Sequence, residues 1–285
     1  MSRKWFLAAV PLVMFCLGGW AFWIEPSSLV LHHETIVLPG WQEEQSGLTL
    51  ALMSDLHIGS PHFGLEALET VVQRLNEEEE PDLVLLAGDY VIHGVLGGSF
   101  VPPERTATVL SRLRARLGVY AVLGNHDWWL DGHRVRDALA SQGISVLEDE
   151  ALRLTKDRFD FWLVGLGDAW EAAPDPDAVV ARIPDDGLPV VAFTHNPDLF
   201  PAVPARIDLT LAGHTHGGQV RFPFFGTPVV PSSYGDRYAR GHIIEAGRHL
   251  FVTSGLGTSI LPVRFRVPPE VVLLRLASSD ARNVP

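Results

Sequence analysis

Leu48-Thr-Leu-Ala-Leu-Met-Ser-Asp-Leu-His57 is an apolar run that ends in two side chains able to bind a metal, Asp55 and His57. A short apolar run bounded by polar residues is typical of a buried β-strand. The same pattern returns four times along the chain. The later runs span residues 83–87, 119–123, 190–194 and 207–212, and they end in Gly88-Asp89, Gly124-Asn-His-Asp127, His195 and Gly213-His-Thr-His216.

Between these predicted strands, apolar residues recur at helical spacing over residues 64–80, 103–117 and 132–141. Strands that alternate with helices indicate an α/β fold, in which ligands gather at the carboxyl ends of the strands. We therefore expect the five polar clusters to converge on one edge. After Gln219 the sequence becomes β-rich and suggests a second sheet packed on the first; its segments are 221–234, 242–244, 250–253 and 271–276.

Composition excludes several functional classes. The chain has 285 residues, 47% of them hydrophobic, a formal charge of −12 and one cysteine. This apolar content argues against disorder, and the negative charge opposes binding to nucleic acid and to anionic lipid headgroups. One cysteine excludes disulfide scaffolds and cysteine-rich metal sites. We predict a single catalytic domain over residues 46–278.

An apolar segment precedes this domain. Residues 5–24 carry no charge and are long enough to cross a bilayer as a helix. A cleaved signal peptide is the alternative for residues 1–30, but no small-residue cleavage motif follows, and Trp20 and Trp23 are typical of interfacial anchors. The sequence therefore favours an uncleaved transmembrane helix.

Charge on the two sides of this segment predicts its orientation. Arg3 and Lys4 precede it, whereas no Lys or Arg follows until Arg74. Acidic residues occupy the following side: Glu25, Glu34, Glu43 and Glu44. The positive-inside rule then keeps the N-terminus in the cytoplasm and places the domain on the outer face of a bacterial cytoplasmic membrane.

The polar clusters contain seven candidate metal ligands. They are Asp55, His57, Asp89, Asn125, His195, His214 and His216. Mixed oxygen and imidazole donors suit two divalent ions such as Mn²⁺, Fe²⁺ or Zn²⁺. A carboxylate bridges two cations best, so Asp89 is the natural shared ligand. Any one histidine alone is more often structural, but five clusters at five strand ends make coincidence a poor explanation.

In their order, these motifs resemble the calcineurin-like metallophosphoesterase superfamily. The resemblance covers residues 55–216, and Ala212-Gly-His-Thr-His-Gly-Gly-Gln219, Ser254-Gly-Leu-Gly-Thr-Ser259 and Leu261-Pro-Val-Arg-Phe265 are similar to its bacterial membrane-associated branch. It implies a four-layer αββα sandwich with a dinuclear site. One metal would take Asp55, His57 and His216, the other Asn125, His195 and His214, with Asp89 between them.

The resemblance also implies two catalytic residues. His126 would donate a hydrogen bond or a proton to the leaving oxygen. Asp127 would hydrogen-bond an imidazole and fix its tautomer, and an N-terminal helix cap is its alternative role.

The second motif departs from that of the serine/threonine phosphatases, whose arginine grips the phosphate dianion. Ile92 and His93 stand in its place, which disfavours phosphomonoesters and favours a diester or pyrophosphate. Side chains that could line the substrate pocket are His62, His93, Trp128, Trp129 and His133. Arg264 and Arg266 alternate in a predicted strand, where a solvated face is favoured over a phosphate contact. His32, His33, His242 and His249 receive no role.

The sequence thus predicts a phosphoesterase that cleaves a phosphodiester or pyrophosphate bond at the membrane, in an envelope lipid or wall component. Two alternatives stay open. One is a UDP-2,3-diacylglucosamine pyrophosphatase of lipid A synthesis, against which the outward orientation argues. The other is a catalytically silent, membrane-anchored binding module.

Overall fold

Over the described residues, twelve β-strands form two six-stranded sheets that make the framework of the fold. A computed structural model describes residues 3–41, 46–157 and 159–278; Glu43 and Glu44, used above to predict the orientation, lie outside the described residues. In the first sheet the order is β1 (Val30–Leu38), β12 (Glu270–Ser278), β2 (Leu48–Met53), β3 (Leu83–Ala87), β4 (Val119–Val122) and β5 (Ser145–Val146). All neighbours in it are parallel except β12 and β2.

The second sheet has the order β10 (Gly241–Glu245), β11 (Arg248–Val252), β9 (Leu209–Ala212), β8 (Val190–Phe193), β7 (Phe159–Gly165) and β6 (Glu150–Lys156). Its four central strands are parallel and its edge strands are antiparallel. Three of the five polar clusters therefore follow strands of the first sheet, and two follow strands of the second. The site is shared between two sheets rather than lying on the edge of one.

Two expectations for the C-terminal part were wrong. β12 pairs with β1 and β2, so residues 271–276 complete the first sheet and not the second. Residues 221–234 form a loop, in which one isolated bridge joins Phe222 to Gly226. Pro223, Pro228 and Pro231 interrupt this segment, and proline cannot donate a ladder hydrogen bond.

Helices cover the outer faces of the two sheets. They are α2 (Leu65–Arg74), α3 (Pro103–Leu110), α4 (Asn125–Ser141) and α5 (Pro176–Val180), and α1 (Arg3–Gly19) precedes the sheets. α2 continues as a π-helical turn through Glu79. α4 begins seven residues before the predicted start, because the Gly124–Asp127 turn already has helical hydrogen bonds, and it kinks at Asp131.

Alternating strand residues separate three apolar layers. Leu50 and Leu52 face the second sheet, whereas Ala51 and Met53 face α2, α3 and α4. In the second sheet Val191 turns inward toward the first sheet, and Val190 turns outward toward α5. The predicted α/β class and αββα layering are confirmed.

The N-terminal helix attaches to the domain through its last turns. Val10–Ser27 is long and apolar enough to cross a membrane, and only 11% of it is buried; a signal sequence would meet the same criteria. Ala21 O accepts a 2.9 Å hydrogen bond from Arg264 N. The carboxylate of buried Glu25 accepts bonds from Val267 N and from Trp20 Nε1, both at 2.6 Å. The helix end is therefore bound to the loop that precedes β12.

Candidate metal centre

One set of donor atoms joins the loop after β2 to the loop after β9. His57 Nε2 lies 3.1 Å from His216 Nε2, and His216 Nε2 lies 3.4 Å from Asp55 Oδ1. All three side chains are buried, and their ligand atoms lie within 4.8 Å of one another. Spacings of this size are those of separate ligands around one ion.

A second set lies beside the first. His195 Nε2 is 3.1 Å from both Asn125 Oδ1 and His214 Nδ1. Asp89 Oδ2 lies 3.3 Å from His195 Nε2 and 3.5 Å from His57 Nε2, so one carboxylate oxygen borders both sets. The structure thus brings together all seven candidate ligands from five loops.

Backbone carbonyls orient two of the imidazoles. His57 Nδ1 lies 3.2 Å from Val91 O, and His195 Nδ1 lies 2.7 Å from Ala87 O. A carbonyl can only accept, so each Nδ1 carries a hydrogen, and each Nε2 turns a lone pair toward Asp89 once its ring is neutral. Lone pairs that converge in this way need a cation between them, which is why the donor set fits two divalent ions.

Asp127 has other partners than the expected imidazole. Its carboxylate accepts from the backbone N–H groups of Asp89, Tyr90 and Val91 at 2.8 to 3.3 Å, and from that of Gly124 at 2.9 Å. In the last of these bonds, Asp127 is the third residue of α4 and accepts from its N-cap, Gly124, so Asp127 is not itself the N-cap that the alternative role proposed. Asp127 therefore ties the Asp89 loop to the start of α4.

The ligand loops hold an uncommon backbone conformation. Positive φ angles of 38° to 70° occur at five ligands, namely Asp55, His57, Asp89, His214 and His216. Asp and His tolerate this region better than most residues, yet it remains costly. Such strain clusters where the surrounding structure enforces a functional geometry.

Glycine is required next to these ligands. A Cβ atom on Gly124 would lie 2.2 Å from Asp89 Oδ1, and a Cβ on Gly88 would lie 2.5 Å from Gly124 N. The backbones of the two loops approach too closely for any side chain there. This explains why a glycine precedes both Asp89 and Asn125.

Burial and mutual charge shift the pKa values of the ligands. Burial raises the pKa of Asp55 to about 6 and lowers that of His57 to about 3. Burial also acts to lower the pKa of His195, but the Asp89 carboxylate outweighs it and raises that pKa to about 10. Without metal, the centre therefore holds a His195–Asp89 ion pair whose proton must leave when a cation binds.

His126 lies beside the ligands, and one of its ring nitrogens lies within 4.8 Å of ligand atoms of His57 and Asp89. Its ring centroid is 4.6 Å from that of His57 and 4.7 Å from that of Trp129. Its Nδ1 is buried and has no hydrogen-bond partner among the described residues. Burial lowers the pKa of His126, so the ring is neutral near pH 7.

A cleft of about 390 Å³ opens above the ligands. His93, His126, Trp129 and Trp170 line it, and none of its lining residues in the described part of the chain is a Lys or Arg. The two indoles are about half exposed, and Trp129 Nε1 donates a 2.7 Å bond to Glu171. A larger surface depression of about 660 Å³ contains no candidate ligand.

Three of the predicted pocket residues lie elsewhere. Trp128 packs against the core cluster beneath α4, and His133 contacts the outer edge of its ring. His62 borders a separate cavity, where its Nδ1 lies 3.0 Å from Ser27 Oγ. Helical periodicity explains the position of Trp128, because Trp128 and Trp129 point about 100° apart on α4.

Trp170 belongs to the site and was not predicted. Its ring meets His214 edge-on, with centroids 4.4 Å apart. Buried Asp168 holds this turn by accepting from the N–H groups of Trp170 and Glu171. The sequence contains a pattern that indicates this turn. The apolar end of β7 runs into Gly167-Asp168, as β3 runs into Gly88-Asp89.

Arg264 is neither in a strand nor on a solvated face. It is fully buried and donates to the carbonyls of Ser254, Gly255, Gly257, Val267 and Pro268 at 2.6 to 3.5 Å. Arg266 is exposed, in keeping with a solvated position. Arg264 fixes the 254–257 loop, whose Gly255 and Gly257 pack against Asp55 and His57.

Residues 48–218 match the Calcineurin-like phosphoesterase family. The chain belongs to this family. It is accordingly a metal-dependent hydrolase of phosphoric esters, and the clustered ligands imply divalent ions. Membership confirms the resemblance drawn from the sequence motifs.

Three relatives are similar over nearly the whole chain. Metallophosphoesterase YkuE of Bacillus subtilis is 30% identical, with 98% of this chain and 99% of YkuE covered. Phosphodiesterase YaeI of Escherichia coli is 32% identical, with coverages of 97% and 99%. UDP-2,3-diacylglucosamine pyrophosphatase LpxG of Chlamydia trachomatis is 26% identical, with coverages of 90% and 92%.

Proposed function

We propose that the protein is a dinuclear phosphodiesterase that cleaves a phosphodiester or pyrophosphate bond in a membrane-linked substrate. One observation carries the proposal. Two sets of donor atoms meet at Asp89 Oδ2 on the floor of a cleft whose described lining contains no Lys or Arg. The ligand assignment, with Asp55, His57 and His216 on one ion and Asn125, His195 and His214 on the other, is part of this proposal.

Two divalent ions, when bound, would activate water and offset the charge of the phosphoryl group for in-line displacement. The residues of the chain have separate tasks. Asp89 spaces the two sets, and the carbonyls of Ala87 and Val91 keep the imidazoles of His195 and His57 aimed inward. His126 donates a hydrogen bond or proton to the leaving oxygen from the cleft side, and Asp127 positions the Asp89 loop.

The cleft favours a monoanionic ester. A terminal phosphate dianion needs an additional cationic donor, usually a bidentate arginine. Half-buried Ile92 and exposed His93 occupy that position here, and Trp129 and Trp170 present apolar surface to the groups beyond the phosphate. The similarity to phosphodiesterase YaeI supports the same preference.

Hydrolysis of two chromogenic esters tests this proposal. The full-length protein in detergent with Mn²⁺ is expected to hydrolyse bis-p-nitrophenyl phosphate with a kcat/KM at least about tenfold above that for p-nitrophenyl phosphate, which corresponds to about 1.4 kcal/mol of transition-state preference. Asp89→Asn is the inactive control. Absence of nitrophenol with Mn²⁺, Fe²⁺ and Zn²⁺ would instead favour the silent binding module.

The membrane is the second part of the proposal. The segment Val10–Ser27 exposes an apolar surface, and its end is bonded to the domain at Arg264 and Val267. An uncleaved anchor would hold the cleft near lipid-linked substrates of the envelope. Charge around residues 5–24 favours the outer face of the bacterial cytoplasmic membrane.

A pyrophosphate substrate linked to UDP is the second candidate, favoured by the similarity to LpxG. Such a substrate is cytoplasmic, so the orientation decides between the candidates. A reporter active only outside the cytoplasm, fused after Pro285, is expected to be active. An inactive reporter, together with release of UMP from UDP-2,3-diacylglucosamine, would establish the second candidate instead.

A further inference from the structure

Five large apolar side chains stand exposed around the mouth of the cleft. They form what we call the apolar collar, which consists of Leu96, Phe224, Phe225, Val229 and Ile260. Phe224 is fully exposed, and the other four are 65% to 88% exposed. Single exposed apolar residues are ordinary, but a contiguous group around a site marks an interaction surface.

Backbone contacts join the collar into one surface. Leu96 N donates a 2.9 Å bond to Ile260 O, and Gln219 Nε2 donates to Ser259 O. The loop that carries Phe224 and Phe225 begins at a bridge between Val220 and Phe265. Val229 and Ile260 also line the cleft, so this surface adjoins its entrance.

The apolar N-terminal helix ends beside the same segment. Arg264, four residues after Ile260, bonds through its N–H to Ala21 O, and Val267 N bonds to the carboxylate of Glu25. The exposed helix Val10–Ser27 and the collar are therefore fixed to one short segment of the domain. A bilayer that receives the helix is brought next to the collar.

Positive charge flanks the collar in a protein of net charge −12. Arg221 and Arg266 are exposed, and neither forms an ion pair with any described residue. Arg221 N donates to Phe265 O, which places the first arginine at the base of the phenylalanine loop. Aromatic and aliphatic side chains bordered by arginines are typical of surfaces that bind anionic lipid.

We propose that the collar inserts into the headgroup region of a bilayer that contains anionic lipid, so that the cleft opens at the membrane surface. The inference rests on the anchoring part of the proposed function and not on the proposed hydrolysis. It goes beyond a helical tether, because it assigns a second contact and orients the cleft toward the lipid.

Quenching by brominated lipid tests this contact in the full-length protein. Phe224→Trp places an indole in the collar, and Ile244→Trp is the matched control on an exposed apolar residue. Gly241, which pairs with Val252, marks the end of β10 that is nearer the site. Ile244 pairs with His249 near the other end of this strand, away from the site. Both variants are reconstituted in vesicles of phosphatidylcholine and phosphatidylglycerol with brominated acyl chains.

The emission added by Phe224→Trp is expected to be quenched by about half or more, and that added by Ile244→Trp by less than about a tenth. Arg221→Glu combined with Arg266→Glu should reduce the difference in Phe224→Trp quenching between anionic and neutral vesicles. Equal quenching in the two Trp variants would overturn the proposal. So would an unquenched Phe224→Trp indole that cross-links to a second copy.

A second measurement distinguishes failure of the proposed hydrolysis from failure of the collar proposal. The double variant Phe224→Ser with Phe225→Ser keeps every candidate ligand, so it should hydrolyse soluble bis-p-nitrophenyl phosphate at the wild-type rate. An unquenched Phe224→Trp indole, in a protein that still hydrolyses the diester, refutes the collar alone. Retained quenching without hydrolysis in the wild type refutes the catalytic proposal alone.

Discussion

At the scale of single residues, the candidate ligands lie in loops whose backbone conformation depends on tertiary contacts. Asp55 with His57, and His214 with His216, could be paired because residues two apart in an extended segment share a side. In the structure these residues instead have positive φ, and the loops are held in that shape by tertiary contacts. Three of the four partners of Asp127 were unpredictable for the same reason, since they are N–H groups of a loop 36 to 38 residues away.

The role of His126 gives a prediction at this scale. His126→Ala is expected to lower kcat for the diester by about 10² to 10⁴-fold while two metal equivalents stay bound, because the ring assists the leaving group but ligates neither ion. Kinetics and elemental analysis on the same preparation would measure both. His93→Ala is the control and should have a smaller effect. His93 also lines the cleft, and its ring centroid lies 5.8 Å from that of His126. Loss of metal in His126→Ala would show that His126 is a ligand.

At the scale of elements, apolar runs predicted the central strands well, because strands buried on both faces are continuous in hydrophobicity. Local patterns do not predict strand pairing or burial that depends on distant parts of the chain. β12 pairs with β1 and β2 across more than 200 residues of sequence, which no local pattern contains. The predicted strand around Arg264 is a loop, and its arginine is a buried donor to carbonyls.

The 254–257 loop is the element with the clearest stability prediction. Arg264→Met leaves five carbonyls without their buried donor and should lower the free energy of unfolding by about 3 kcal/mol or more. Metal affinity should fall as well, because the loop packs on Asp55 and His57. Arg266→Met is the matched control at an exposed position. Denaturant unfolding and metal titration of both variants are the measurements, and equal stability of the two would contradict this role.

The contact between β1 and β12 should make stability depend on pH. A hydrogen bond to Glu270 raises the pKa of His32 above its ordinary 6.5. Because the pKa of His32 is raised in the folded state, the stabilisation that this contact gives is complete below pH 6.5. It is lost as the pH rises through the folded-state pKa. We expect His32→Gln to cost about 1 kcal/mol at pH 6 and less at pH 9, since the ring is partly exposed. Urea unfolding at both pH values checks this, and a cost that grows with pH would refute it.

At the scale of the whole molecule, the net charge does not predict the local charge at the apolar collar or at the floor of the cleft. The charge of −12 predicts repulsion of anionic lipid, yet exposed arginines border the apolar collar. The candidate ligands Asp55 and Asp89 are buried, and two bound cations would reverse the sign of the potential at the cleft floor. Local arrangement therefore decides what this acidic protein attracts.

The central claim is that Asp89 lies between two metal ions. Anomalous diffraction from crystals of the full-length protein grown with Mn²⁺ measures this directly. Two peaks about 3.5 to 4 Å apart, on the two sides of Asp89 Oδ2, are predicted, with His195 and Asn125 at one and His57 and His216 at the other. A single peak, or two peaks that Asp89 does not bridge, would contradict the account.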